Sequence, residues 1–351
     1  MSLVGVEVGP IYLAGLLRHT TPPPNIDNPH KRSDPFQFGT RYLSADDDIF
    51  SHNAWDHVTV DPAYDSFITA QTSFQRDNQV SDFDKRRFNE APEKWWDKFY
   101  GNNATNFFKD RKWLVQEFPV LREVTRDGYG DVTVLEVGAG AGNTAFPLLE
   151  MNANAGMKLW ACDYSRKAVE LIRAQEAYVQ QAEPVLRAEV WDAAGETLPP
   201  GLEAGTVDIV VLIFIFSALA PAQWERAVRN IWTLLKPGGE ILFRDYGRGD
   251  LAQVRFKKGR YLEENFYVRG DGTRVYFFEE DELREIWSGN IFSERDGPRF
   301  DIVSLATDRR MLVNRQRKLK MYRCWMQGRF KKPADDEAVD ISDIRKEAET
   351  G

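Results

Sequence analysis

Val134-Leu-Glu-Val-Gly-Ala-Gly-Ala-Gly-Asn143 holds the strand-to-loop break from which the architecture of this chain can be worked out. An apolar strand carries one acid, Glu136, then breaks into Gly138, Gly140 and Gly142 before a helical pattern opens at Thr144. Glycines at alternate positions let the chain turn sharply and leave bare main chain for a ligand to lie against. A second strand pattern, Leu159 to Cys162, ends in Asp163, where a carboxylate can accept from both hydroxyls of a ribose. Those features fit either a dinucleotide or S-adenosylmethionine (SAM). A pyrophosphate loop wants glycine at the sixth position of G-x-G-x-x-G, and that position here is Asn143. SAM has no phosphates to cradle and carries a positive sulfonium. An uncharged loop with a glutamate upstream therefore favours SAM over a nicotinamide cofactor.

Outward from the loop, strands and helices alternate. The pattern gives strand Val132 to Val137, helix Thr144 to Met151, strand Lys158 to Asp163, and helix Ser165 to Ala182 with Ser165 as its N-cap. Strand Val185 to Trp191 precedes a Gly/Pro loop and strand Val207 to Phe216, an almost wholly apolar run suited to a central parallel strand buried on both faces. Helix Pro221 to Leu235 is expected to stop hard at Lys236-Pro-Gly-Gly239, before strand Glu240 to Tyr246. This rhythm predicts a doubly wound α/β sheet whose ligands lie outside the carboxyl ends of its strands. The glycine loop, Asp163, Asp192 and Ile213 all sit at such ends. An insertion at 247–275 interrupts the rhythm, and Lys318 and Lys320 alternating with Leu319 and Met321 predict a last strand with one cationic side.

The bulk composition narrows the classes. The chain has 351 residues, 42% hydrophobic, and a mean hydropathy of -0.48, with its longest apolar run, Ile209 to Leu219, too short to span a bilayer. No secretory signal is evident, so a cytoplasmic protein without a membrane partner is expected, its Cys162 and Cys324 being reduced core thiols. The four histidines, at 19, 30, 52 and 57, all precede the glycine loop, which argues against a Ser-His-Asp hydrolase or a His-rich metal site on that domain. No metal is expected. The net charge of -8 is segregated: 309–332 carries ten Lys/Arg and no acid, while 335–349 carries seven acids. A solvated face and a polyanion-binding face stand level as readings of the basic run.

Boundaries follow from these shifts. Residues 1–35, with Pro22, Pro23 and Pro24, read as a disordered extension; 36–120 as an aromatic- and base-rich N-terminal region; 121–333 as the sheet domain; and 334–351 as an acidic, disordered tail. Within the second region we expect helix from Ala91 to Tyr100, a loop through Gly101 to Thr105, and helix from Lys109 to Phe118. Trp95, Trp96, Phe99 and Tyr100 share a helical stripe. On composition such a stripe is core rather than a cofactor lid.

Several motifs carry a resemblance. Asn106-Phe-Phe-Lys-Asp-Arg111 with Trp113, the glycine loop, Ala161-Cys-Asp-Tyr-Ser165, Leu212-Ile-Phe-Ile-Phe-Ser-Ala218 and Leu242-Phe-Arg-Asp-Tyr-Gly247 resemble the tRNA 3-methylcytidine methyltransferases. Asn265-Phe-Tyr-Val-Arg-Gly-Asp-Gly-Thr-Arg274 and Met321-Tyr-Arg-Cys-Trp325 do so too, over residues 37–333 as a whole. The glycine loop is generic to SAM enzymes, whereas NFFKDR and NFYVRGDGTR are specific to this family. Phe38-Gly-Thr-Arg-Tyr42 and His52-Asn-Ala-Trp-Asp56 resemble the branch acting on threonine tRNA.

The resemblance implies a Rossmann-like class I SAM-dependent methyltransferase. Its doubly wound sheet would be seven-stranded and mostly parallel, with an N-terminal aromatic lid and a basic insertion after the fifth strand. It implies methyl transfer to N3 of cytidine 32 in the anticodon loop, with S-adenosylhomocysteine as coproduct. Carried over by motif position, Trp96, Tyr100, Gly138, Gly140, Asp163, Asp192 and Ile213 become cofactor contacts, which turns the stripe from core into lid. Phe107, Phe108 and Arg111 would order that lid beside the RNA. Arg244, Arg269, Arg274, Arg315, Lys318, Lys320 and Arg323 would hold tRNA. No general base is assigned, because alignment supplies most of the rate when the methyl is already activated. An aminoacyl-tRNA synthetase or another tRNA-binding protein is the candidate partner. The rivals are a SAM enzyme acting on a protein or small molecule and a silent RNA-binding scaffold.

Overall fold

The computed structural model describes residues 41–334 other than 182 and 294–296. The expected N-terminal extension, the first part of Phe38 to Tyr42, and the acidic tail from 335 onward lie outside the described residues. The strands are β1 (Ala54–Asp56), β2 (Val132–Val137), β3 (Met157–Asp163), β4 (Leu186–Val190), β5 (Val207–Ile213), β6 (Leu235–Tyr246), β7 (Tyr261–Glu263), β8 (Phe266–Val268), β9 (Arg274–Tyr276), β10 (Asp301–Asn314) and β11 (Leu319–Lys331). N-terminal to the sheet core run α1 (Pro62–Asp77), α2 (Asp82–Glu90), α3 (Pro92–Asn103), α4 (Leu114–Glu117) and α5 (Val120–Glu123). The remaining helices are α6 (Ala145–Met151), α7 (Arg166–Arg173), α8 (Glu176–Val179), α9 (Pro221–Leu234), α10 (Leu251–Val254) and α11 (Glu280–Trp287).

The main sheet has the order β1-β10-β11-β6-β5-β2-β3-β4. Strands β4, β3, β2, β5 and β6 pair in parallel, and β11, β10 and β1 continue the sheet antiparallel. The seven expected strands are present, and β1, from the aromatic-rich N-terminal region, adds an eighth. The alternate side chains of β2 and β5 feed opposite cores. Leu135, Val210 and Leu212 pack with α9 and α11, whereas Val134, Ile209 and Val211 pack with α4 to α7. Helices on both faces explain why β5 reads as continuous hydrophobicity.

Four local expectations are corrected. Lys109 to Phe118 is not one helix: only Leu114–Glu117 is helical, and Lys109 to Arg111 runs as a strap, with the Arg111 amide donating to the Asn143 carbonyl at 2.8 Å. The helix after Ser165 breaks at Arg173, whose guanidinium turns back to the Ala188 carbonyl. Lys236-Pro-Gly-Gly239 does not precede the strand but lies within β6. There the register against β5 jumps from Val207↔Leu235 to Ile209↔Glu240, a bulge clasped by the Lys236–Asp208 ion pair at 2.7 Å. Strand β5 ends at Ile213 rather than Phe216, because Phe214 adopts a left-handed φ of 60°. The insertion folds as α10 and a small antiparallel sheet β7-β8-β9.

Candidate functional site

The glycine loop leaves β2 and turns under α3. Gly138 and Gly140 hold left-handed φ values of 69° and 58°, and a Cβ on either would collide, with Ile215 at Gly138 and with the Tyr100 hydroxyl at Gly140. The two glycines thus form the floor of a cavity whose walls stand too close for any side chain. This is the cradle that a SAM methionine moiety lying on bare backbone requires.

Asp163 ends β3 at the side of this cavity. One carboxylate oxygen accepts from the Gly140 amide and the other from the Ser165 amide, both at 2.8 Å. Each oxygen keeps acceptor capacity for a ribose hydroxyl. The carboxyl therefore ties the loop to the next helix as well as facing the cavity; the helix cap itself is Ser165, whose hydroxyl accepts from the Ala168 amide. Burial pushes the Asp163 carboxyl up to about 6, against the lowering effect of those two amides. Asp192, just beyond β4, lines the same cavity and accepts from the Ala194 amide at 2.9 Å. Glu136 lies beneath the loop, pushed up to about 7 by burial despite Arg111 at 3.3 Å.

Helix α3 forms the roof. Phe99 and Tyr100 are buried while Trp96 is half-buried, and all three line the cavity. Core and lid are the same surface here. Asp97 fastens the roof to α7, accepting from the Ser165 hydroxyl at 2.6 Å and the Lys167 amide at 3.1 Å. Asn143, the residue that breaks the dinucleotide pattern, donates to the Phe108 carbonyl at 3.4 Å and to Asp110 at 3.3 Å, so it anchors the NFFKDR strap. Neither Asp97 nor Asn143 stands out as a site residue from sequence. The signal for Asn143 is its place in the loop; for Asp97, on an exposed-looking helix position, there is none. Ile213 has its side chain buried in the core, which leaves its backbone for the contact beside adenine that the resemblance implies, and the next residues, Phe214 and Ile215, line the cavity.

A methyltransferase-domain family model matches residues 135–241. The tRNA(Thr) (cytosine(32)-N(3))-methyltransferase of Saccharomyces cerevisiae is 50% identical over 301 residues, covering 85% of this chain and 46% of that protein. The tRNA N(3)-methylcytidine methyltransferase trm140 of Schizosaccharomyces pombe is 43% identical over 295 residues, 84% of this chain and 92% of that protein. The Drosophila melanogaster Mettl2 protein of the same description is 40% identical over 309 residues, 88% and 92% respectively. This chain belongs to the tRNA N(3)-methylcytidine methyltransferase family.

As a member of that family it is a class I methyltransferase that uses SAM. It spans about half the length of the S. cerevisiae relative and nearly all of the other two. Of the residues assigned to tRNA, Phe108, Arg111, Arg269 and Arg274 line the same cavity as Gly138, Gly140 and Asp163, as does the exposed Phe107. Two of the arginines prove to be internal to this methyltransferase fold. Arg244 is stacked between the rings of Trp113 and Trp325, at 5.4 and 5.0 Å, and pairs with Asp308 at 2.6 Å. Arg274 is 4% exposed and donates to Asn89, Gln223 and the Ala218 carbonyl. Arg323 pairs with the fully buried Asp250 at 2.8 Å while its own side chain stays 30% exposed. The roles of Arg244 and Arg274 as phosphate hooks are corrected to internal ties, because a buried guanidinium keeps its partner rather than exchanging it for RNA.

The basic run forms the β10–β11 hairpin, and much of its charge is paired. Arg310 meets Asp56, Lys320 meets Asp61, and Arg329 meets Glu240. Arg315 and Lys318, at the hairpin turn, remain exposed. One histidine does reach the sheet domain: His57 Nδ1 lies 3.0 Å from Asp308. Both cysteines are free and buried, with no group of His, Cys, Asp and Glu fit to hold a metal among the described residues.

Proposed function

We propose that this methyltransferase transfers the methyl group of SAM to N3 of cytidine 32 in the anticodon loop of threonine tRNAs. The observation carrying this reading is the 50% identity to the S. cerevisiae protein of that description, over 85% of this chain. SAM, when bound, supplies a methyl group already activated by its sulfonium.

The chain's own residues bind and orient. Gly138 and Gly140 offer main chain to the methionine part, Asp163 accepts from the ribose hydroxyls, and Asp192 accepts from the adenine amino group. Trp96 and Tyr100 close the roof and exclude water. The cytosine N3 lone pair lies in the ring plane and is unprotonated at neutral pH, so no strong base is needed, and a loop base can leave its stack where a duplex base cannot. Arg269 at the cavity mouth and Arg315, Lys318 and Lys320 on the hairpin are the cations placed to meet phosphates.

Because so many hairpin charges are already paired, a tRNA-binding partner such as an aminoacyl-tRNA synthetase would supplement the grip. The two free, buried cysteines suit a reducing, cytoplasmic site of action. Among the described residues no helix is long and apolar enough to cross a membrane.

The test is nucleoside mass spectrometry on tRNA from cells lacking the protein, before and after incubation with purified chain and SAM. The expected product is 3-methylcytidine, lost in Asp163→Ala. Failure to bind SAM at all would overturn the reading.

A further inference from the structure

The open main sheet has two edges, and they are finished differently. At the β4 edge, side chains take up the outward main chain. The Leu186 amide donates to Gln181 at 2.6 Å, the Leu186 carbonyl accepts from Gln181 at 3.1 Å, and the Ala188 carbonyl accepts from Arg173 at 2.9 Å. Such capping keeps foreign strands from adding there. At the other edge, the three-residue β1 covers only Arg310 to Leu312 of the 14-residue β10. His57 then takes a left-handed φ of 52°, the Val58 amide makes a last contact to the Arg309 carbonyl at 3.0 Å, and the chain turns off into α1.

The Arg309 carbonyl and the Val313 amide both face the β1 side, to Val58 and Asn53. By the two-residue period of a strand, Leu305 and Thr307 turn their main-chain groups the same way. Among the described residues nothing donates to or accepts from those groups. A bulge between Ile302 and Ser304 bounds the open stretch at its far end. We propose that this stretch of β10 is a docking edge for an extended segment of a protein partner, which adds as a strand and carries a lysine or arginine opposite Thr307.

The charge of the occupant follows from its surroundings. Residues opposite each other on neighbouring strands share a face, and Thr307 lines a cavity of about 460 Å³ between α1 and the start of α11. The buried lining is apolar, with Tyr322 and Met326. The outer lining carries four acids, Asp65, Glu279, Glu280 and Asp281, against Arg248 and Arg309. Arg248 already meets Glu279 at 3.5 Å. A lysine or arginine suits both parts, with its aliphatic stem on the apolar lining and its charge among the acids. Main-chain pairing supplies the affinity and the cavity the selectivity. The same acids repel a phosphate backbone, so this edge is a surface for protein rather than for RNA.

Docking here reaches the enzyme through β10. Asp308, the neighbour of Thr307, holds Arg244 at 2.6 Å and His57 at 3.0 Å. A strand added along 305–308 steadies that ion network without entering the cavity of Gly138 and Asp163. The inference is independent of which base is methylated.

The probe is a capped nonapeptide of alternating threonine and valine with arginine at its centre. It is titrated into the full chain by calorimetry, with amide exchange read in parallel. Saturable binding that slows exchange at Leu305 and Thr307 is expected. Replacing the central arginine by glutamate, or methylating alternate peptide nitrogens, should weaken binding at least about tenfold. In the chain itself, Asp65→Lys with Glu279→Lys should invert the preference, so that the glutamate peptide binds the better of the two. Absence of binding would overturn the proposal, as would equal affinity for the arginine and glutamate peptides. Slow exchange of the Leu305 and Thr307 amides in the free chain would also reject it, because the edge would already be covered. Protection that rises with protein concentration would name a second copy as the cover, and protection that does not would name another segment of this chain. Formation of 3-methylcytidine is read separately, so failure here leaves the methyl-transfer reading standing.

Discussion

Asp163 works through both faces of one carboxyl. It pins the glycine loop through the Gly140 amide and the start of α7 through the Ser165 amide, leaving lone pairs toward the cavity. Asp163→Asn is expected to weaken SAM binding by about ten- to a hundredfold, the cost of replacing a charged acceptor by a mismatched amide. Calorimetry reads this directly. The same group sets a pH dependence. Burial raises its folded pKa to about 6, so the carboxylate is progressively protonated below that pH. SAM affinity should therefore fall as the pH is lowered through that value, and a flat profile would remove Asp163 from the ribose contact. Stability runs the other way for this group: a raised carboxyl pKa destabilises the fold above about 6 and relaxes as pH falls toward the ordinary value. Gly140→Ala combines a left-handed backbone with a clash against the Tyr100 hydroxyl, and should destabilise by about 1–3 kcal/mol in thermal unfolding.

At the scale of elements, α3 is recognisable from its aromatic stripe, yet what docks it is polar. Asp97 accepts from both the Ser165 hydroxyl and the Lys167 amide at the start of α7. Asp97→Ala should cost about 1–2 kcal/mol and loosen the roof without touching the cavity. The expected signature is faster amide exchange across 92–103, with SAM affinity reduced several-fold. Unchanged exchange there would show that the aromatic contacts alone hold the roof. The NFFKDR strap teaches the same lesson. Its composition suggests a helix, but the strap trades helical hydrogen bonds for the Asn143 side chain and carbonyl, a tertiary contact that no local propensity encodes.

For the whole molecule, the distribution of positive charge decides which residues can meet RNA. Arg244 pairs inside the fold, so Arg244→Ala should cost about 3 kcal/mol by leaving the buried Asp308 with His57 as its remaining ion partner. Arg315→Glu with Lys318→Glu should leave the melting temperature near that of the parent. It should lower the salt dependence of stem-loop binding by about one in log–log slope for each phosphate that is no longer neutralised. A parent-like slope would place the RNA away from the hairpin turn. The eight-stranded sheet is itself a product of this scale: β1 joins β10, and His57 just beyond it reaches Asp308, 251 positions further along the chain.

The doubly wound sheet, the glycine loop, Asp163 and Asp192 at strand ends and, through its motifs, the family are all legible in the chain's own residue pattern. Each of these is a local pattern: period-two or continuous apolar runs, glycines where backbone must turn, acids where strands stop. Which cations stay exposed, where the Ile213 side chain lies and how Phe214 comes to a left-handed φ follow from packing between distant segments. Those properties depend on partners such as Asp250 and Asp308 that are distant in the chain, and a side chain's availability is set by what the fold packs against it.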